Sequence, residues 1–260
     1  MCLLVAAYRC HPEFPLIVAA NRDEFFRRPA AAANYWNDHP DVLAGRDLEQ
    51  GGTWMGVSKH GRFAALTNVR DPKYFRNVAK SRGVIVAKFL FGDDSPKQYL
   101  ENLAQESDDF NGFNLIVGTT DELYYFNSVT KKTSALGAGI HGLSNDQLDT
   151  PWPKVIRAKN NMALALRQNA ESLENPLFSM LRDNTVAPDS DLPDTGVGLE
   201  KERWLSPIFI RTNEYGTRCS TLLLARRDGE IQYIERSFDT ASEAQSLRRF
   251  SFAVAANIAP

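Results

Sequence analysis

Two short apolar runs at the start of the chain constrain the fold more than any other feature. Leu3-Leu4-Val5-Ala6-Ala7-Tyr8 and Leu16-Ile17-Val18-Ala19-Ala20 are each of strand length, and the turn-prone His11-Pro12-Glu13-Phe14-Pro15 separates them. Such runs read as the two strands of a β-hairpin. The second strand ends in the polar cluster Asn21-Arg22-Asp23-Glu24, and the hairpin carries Cys2 beside it. If Met1 is removed, Cys2 holds a thiol and an α-amino group on one carbon. An amine of pKa ~8 and a thiol of ~8.5 need no large shift to exchange a proton at neutral pH, so one residue supplies nucleophile and base. The alternative reading makes Cys2 a small apolar residue at a strand start.

The rest of the chain repeats the hairpin theme. Gly51-Gly52 turns into Thr53 to Ser58, and Lys59-His60-Gly61 turns back into Arg62 to Asn68. Alternation places Leu66 and Asn68 on one face and Thr67 on the other, so one polar side chain points inward, and Asn68 is the candidate donor to an oxyanion. Helices are expected over Ser81 to Phe91 and Ser95 to Glu106, the second begun by Ser95-Pro96. Gly112 to Gly118, Leu123 to Asn127 and Thr130 to Ala135 read as a meander of central strands. Gly139 to Asn145 leads into a helix from Pro151-Trp152-Pro153 to about Asn169, which places Ser144 and Asn145 at a strand-to-helix junction. A short helix follows around Glu171 to Asp183. Tyr215 to Leu224 and Ile231 to Arg236 form a last hairpin about Asp228-Gly229. Tyr35 to Gln50 has no helical period and reads as irregular.

Composition narrows the class. The 260 residues are 43% hydrophobic and 24% charged, as in a globular protein with a sizeable core, and no low-complexity linker divides them, so residues 1–260 read as one domain. A net charge of -2 and a pI near 6.1 give no general pull toward nucleic acid. Cys2, Cys10 and Cys219 are an odd set without zinc-ligand spacing, which suits free thiols in a reducing compartment and no metal site. Leu3 to Ala7 is too short for the core of a signal peptide, and no run reaches the ~20 apolar residues that cross a membrane, so a cytoplasmic setting is expected.

Six blocks occur in order along the chain: Asn21-Arg22-Asp23-Glu24, Gly51-Gly52-Thr53-Trp54-Met55-Gly56, Ala65-Leu66-Thr67-Asn68, Gly142-Leu143-Ser144-Asn145, Thr150-Pro151-Trp152 and Tyr215-Gly216-Thr217-Arg218. With them the chain resembles, nearly end to end, the NRDE family, also called the Transport and Golgi organisation 2 family. The resemblance implies an α+β fold, a four-layer αββα sandwich like that of N-terminal-nucleophile hydrolases, in an intracellular protein that binds and moves haem. Haem-accepting proteins are then possible partners. Family members are also linked to lipid and acyl-CoA metabolism, and a hydrolase-like fold does not by itself establish hydrolysis.

Two functional readings follow. The first is a haem-trafficking protein, or a carrier of a similar apolar anionic small molecule, with the loop Phe25-Phe26-Arg27-Arg28-Pro29 as ligand-binding segment: rings for a flat apolar face, arginines for carboxylates. The chain has no Cys-x-x-Cys-His attachment motif. The second is an N-terminal-cysteine hydrolase of an amide or thioester. Its candidate catalytic residues are Cys2, Asn21, Arg22, Asp23, Glu24, Asn68, Asn145 and Arg218, the last expected to meet Asp23, Glu24 or an anionic ligand. That cast is similar to penicillin V acylase and bile salt hydrolase, although Arg22 and Asp23 are adjacent here, whereas those enzymes space the pair.

Overall fold

A computed structural model describes residues 3–77, 80–241 and 243–254. Cys2, the expected nucleophile, lies outside the described residues. The two N-terminal runs form the expected hairpin of β1 (Leu3–Tyr8) and β2 (Leu16–Phe25), with Leu3 opposite Asn21 and Tyr8 opposite Leu16. Next come β3 (Ala30–Tyr35), β4 (Val42–Asp47), β5 (Met55–Ser58), β6 (Phe63–Asn68), α1 (Gly83–Phe91) and α2 (Pro96–Glu106). The chain continues through β7 (Phe113–Gly118), β8 (Leu123–Asn127), β9 (Lys132–Ala135), β10 (Gly139–Leu143), α3 (Pro153–Ala165), α4 (Glu174–Leu181) and α5 (Leu199–Leu205). It closes with β11 (Tyr215–Ala225), β12 (Glu230–Phe238) and β13 (Ala244–Ala253).

These strands make two antiparallel sheets, one in the order β10-β1-β2-β11-β12-β13 and the other β3-β4-β5-β6-β7-β8-β9. The sheets share a core of Leu4, Ala6, Val18, Met55, Ile116 and Tyr233. On the outer face of the first sheet, Val5, Ile17 and Leu222 pack with Val155, Met162 and Phe178 of α3 and α4. On the outer face of the second, Leu66, Leu115 and Val117 meet Ile85, Phe89 and Leu100 of α1 and α2. The result is the expected αββα layering. Both faces of both sheets are covered, which is why the central strands read as continuous apolar runs. Among the described residues no helix is long and apolar enough to cross a membrane.

Three expectations change. Tyr35 to Gln50 contains β4, whose Val42, Leu43 and Ala44 are buried between β3 and β5; pairing on both sides supplies what the local pattern lacked. The meander is not all central, since β9 is the sheet edge and each of its residues is exposed. The helix expected to run to about Asn169 ends at Ala165. α2 begins as expected, with Ser95 Oγ accepting the Gln98 N–H at 3.2 Å.

Candidate functional site

The end of β2 divides its polar cluster between two faces. Ile17 and Ala19 belong to the core under α3 and α4, whereas Leu16, Val18 and Ala20 belong to the core between the sheets. Carried to the strand's end, this alternation turns Asn21 and Asp23 toward the helices, and Arg22 and Glu24 toward the inter-sheet layer.

On the helix side the polar groups are used internally. Asn21 is fully buried; its Nδ2 donates to the carbonyls of Leu181 at 2.8 Å and Ile208 at 2.9 Å, and its Oδ1 accepts the Ser220 hydroxyl at 2.6 Å. Asp23 Oδ1 accepts the Thr217 hydroxyl at 2.6 Å. Thr217 in turn takes the Ile210 N–H at 3.0 Å. These bonds tie β2 to the segment after α5 and to the start of β11.

On the inter-sheet side a cleft of about 290 Å3 opens, lined by Arg22, Glu24, Trp54, Asn68 and the turn Ser81–Gly83. Arg22 is only 4% exposed and its guanidinium lies 4.3 Å from the Trp54 ring centre. Its Nη2 is 4.0 Å from Glu24, and its buried Nη1 has no hydrogen-bond partner. Such an unmet cationic donor costs free energy unless a ligand meets it. Arg28 also lines the cleft, held by Asp47 at 2.8 Å. The second wall depends on two glycines in contact. A Cβ at Gly52 would lie 2.3 Å from the Gly83 carbonyl carbon, and the Thr53 N–H donates to the Gly83 carbonyl at 3.1 Å, so the start of α1 sits directly on the segment entering β5.

Behind Arg22 the inter-sheet layer holds Cys219, its register partner, together with Glu235. Glu235 Oε1 accepts the Ala33 N–H at 2.7 Å and Oε2 the Thr221 hydroxyl at 3.3 Å. Burial pushes the Glu235 carboxyl up, and it pushes the Cys219 thiol well above the ordinary thiol range. Cys219 is therefore an unreactive thiol, whereas Cys10 is exposed.

The candidate residues do not all share one cavity. Asn68 shares the face of Leu66, which packs under α1 and α2, and lines the cleft. The side chain pointing between the sheets is that of Thr67, bonded by Asn114 Nδ2 at 3.2 Å, a correction to the expected inward amide. Asn145 touches Asn68, donating to its carbonyl at 3.0 Å, yet its side chain lines a second groove of about 540 Å3 beside Trp152 and Tyr74. Arg218 differs again. The register of β11 against β2 slips between Thr217 and Cys219, and this bulge frees Arg218 to turn outward. Its Nη1 donates to the carbonyls of Phe25 at 3.0 Å, Phe26 at 3.3 Å and Arg28 at 3.0 Å. Backbone carbonyls thus replace the expected carboxylate of Asp23 or Glu24, and Arg218 clamps the loop after β2.

That loop carries the four residues expected to bind ligand, and only Arg28 among them lines the cleft. Phe25 is 42% exposed, edge-on to Tyr215, with Arg27 over its ring at 5.1 Å. Phe26 is half-buried, with the Arg218 guanidinium 5.8 Å from its ring. Sequence reasoning missed Trp54 as the seat of Arg22, the Gly52–Gly83 contact, and Glu235. A signal for Glu235 exists: it shares strand parity with Ile231 and Tyr233, an apolar face.

The family model for Transport and Golgi organisation 2 matches residues 1–240. The chain belongs to that family. It is 36% identical to the Transport and Golgi organization protein 2 homolog of Bos taurus, over 91% of this chain and 93% of that protein. It is 33% identical to the Homo sapiens homolog over the same shares. Among solved structures it is similar to the C2A mutant of the conjugated bile acid hydrolase from Clostridium perfringens, with a TM-score of 0.52 at 10% identity, covering 97% of this chain and 92% of that one. At that identity the likeness establishes the N-terminal-nucleophile-hydrolase fold for this family member and nothing of its chemistry. Among the described residues no group of three or more His, Cys, Asp or Glu side chains is arranged to hold a metal ion.

Proposed function

We propose that this protein binds an apolar anionic small molecule, with haem the foremost candidate, and hands it to an acceptor, using a hydrolase-like scaffold for carriage. The observation that carries this reading is the buried, unpartnered Nη1 of Arg22 in a cleft where Arg28 also lies. Carboxylates at the end of an apolar body satisfy such donors. A space of about 290 Å3 accommodates carboxylate ends but not a macrocycle, so the flat face would rest outside it. Binding there leaves the cargo accessible to an acceptor. None of His11, His39, His60 and His141 lines the cleft, so the reading assigns no histidine as an axial ligand.

Haem titrated into the purified protein should give a saturable Soret shift, and the loaded protein should transfer haem to apomyoglobin. Replacing Arg27 and Arg28 together should weaken binding more than Cys2→Ala. No saturable shift in the unmodified protein sinks the carrier reading. A shift lost only in Cys2→Ala makes the thiolate an axial ligand and overturns the assignment to Arg27 and Arg28.

The hydrolase reading retains one supporting observation, the register that sets Leu3 opposite Asn21 and so brings the chain's start to the polar end of β2. Under that reading an intact mass lacks Met1, and Cys2 labels with iodoacetamide faster than Cys10 or Cys219. Met1 retained with equal labelling rates removes it.

A further inference from the structure

The N-terminal turn of α1 lines the same cleft as Arg22. Ser81, Arg82 and Gly83 line the cavity, and α1 runs nine residues from Gly83 with no acidic residue in its first turn and no side chain capping its N-terminus. The first N–H groups of a helix lack α-helical acceptors and carry partial positive charge; in α1 the Val84 and Ile85 N–H groups turn back to the Ser81 and Arg82 carbonyls at 3.4 and 3.1 Å, so the terminus acts through its dipole and the N–H groups that precede them. A helix terminus alone is not a binding site. Here a second feature meets it: Arg22, 4% exposed, lines the same cavity, and its buried Nη1 has no hydrogen-bond partner. Arg28, Lys80 and Arg82 also border the cavity, where Arg28 is paired with Asp47 at 2.8 Å, Lys80 with Asp109 at 2.6 Å, and Arg82 donates to the Gly112 carbonyl at 3.1 Å. The Gly52–Gly83 contact holds the helix start in place.

We infer that this inner end of the cleft is an oxyanion subsite for a phosphate monoester, so that a phosphorylated small molecule occupies it in competition with the apolar cargo. The inference rests on reading this cleft as the ligand site and adds a ligand class to it. A phosphate monoester carries close to two negative charges at neutral pH and three acceptor oxygens arranged around one centre. It can therefore accept from the helix start and from an arginine lining the same cleft at once, whereas a carboxylate has two coplanar oxygens.

The test is calorimetric titration of the full chain with phenyl phosphate and, separately, with benzoate, which share a ring and differ in the head group. Phenyl phosphate should bind saturably and at least about tenfold tighter than benzoate, because charge-assisted bonds from two walls outnumber those a carboxylate can accept. Arg22→Gln should abolish the difference. Should that variant fail to fold by circular dichroism, the rim variant Lys80→Gln/Arg82→Gln should still weaken phenyl phosphate severalfold and flatten its salt dependence. Equal affinities for the two ligands, or phenyl phosphate binding unchanged in the variants that fold, overturns the inference. The haem titration reads separately: a Soret shift without phenyl phosphate binding removes only this subsite, and phenyl phosphate binding without a Soret shift removes only the carrier reading.

Discussion

Asn21 and Arg22 are neighbours in one strand, both buried, and they have opposite relations to the protein around them. Asn21 faces the helices and has its donors and its acceptor met by Leu181, Ile208 and Ser220. Arg22 faces the other sheet, stacks on Trp54 and keeps one donor unmet at a cavity wall. A four-letter motif therefore spans two environments interleaved at a period of two. Asn21 and Asp23 bond to neighbouring segments, and Arg22 and Glu24 line the cleft. The difference teaches that burial by itself does not separate Asn21, whose hydrogen bonding is complete, from Arg22, whose hydrogen bonding is not.

Mutation of the pair breaks or sharpens this comparison most directly. Asn21→Ala leaves two buried carbonyls and a hydroxyl without their partner, and at ~1 to 3 kcal/mol for each unmet group the loss should reach about 4 kcal/mol. Arg22→Met should change stability by no more than about 1 kcal/mol, the scale of one cation–π contact, while removing ligand binding. Urea unfolding of both variants measures this, and equal losses would erase the distinction.

Gly52→Ala tests the cleft's second wall. The added methyl meets the Gly83 backbone, which cannot yield as a side-chain tip does, and overpacking of that kind costs about 2 kcal/mol. The melting temperature should fall and ligand affinity with it; a fall in stability with affinity intact would separate the start of α1 from the site.

Arg218→Ala should cost less, about 1 kcal/mol, because each lost bond is to a partly solvated carbonyl. Its signature is local: hydrogen exchange should quicken in residues 26–29 and stay unchanged at the Asn21 bonds. Uniform exchange across both would show that the loop and the helix side of β2 open together.

The smallest effect is expected from pH at the other edge of the first sheet. Asp149 bridges His141 at 2.9 Å and Lys159 of α3, and its Oδ1 accepts the Gly142 N–H at 2.8 Å. The hydrogen bond that His141 donates to Asp149 raises the His141 pKa; burial opposes ionisation of Asp149, but the bonds it accepts from His141 and Lys159 prevail and hold it well below the carboxylate range. His141 therefore contributes stability that is fully present below its unfolded pKa of ~6.5 and is lost as pH rises through its raised folded value. Asp149 contributes above its unfolded pKa of ~3.9 and loses that contribution as pH falls through its lowered one. The joint contribution should peak between those windows. His141→Gln should flatten the alkaline side of a stability–pH profile, and a profile unchanged in that variant would place the titration elsewhere.

Much of the architecture was legible because local pattern and tertiary environment agree. The hairpins at β1–β2, β5–β6 and β11–β12 follow from apolar runs broken by turn residues, and Ser95-Pro96 marks the start of α2 in any context. β4 was illegible, because Val42-Leu43-Ala44 is only three apolar residues, and its strand conformation comes from hydrogen bonds to β3 and β5.

The sequence by itself determined which polar residues stand together at the end of β2, and through strand alternation that they divide between two faces. Which face is structural and which lines a cavity was decided only in three dimensions. Ile208 and Leu181 lie far along the chain from Asn21, as do Trp54 and Gly83 from Arg22, and no local pattern encodes their approach. The same holds for Arg218, whose carboxylate partner was expected from proximity in the sheet: one residue of register slip in β11 re-aims it onto backbone carbonyls. Register emerges from the packing of whole sheets, so a single sequence reports the alphabet of the site, and the fold selects which letters meet.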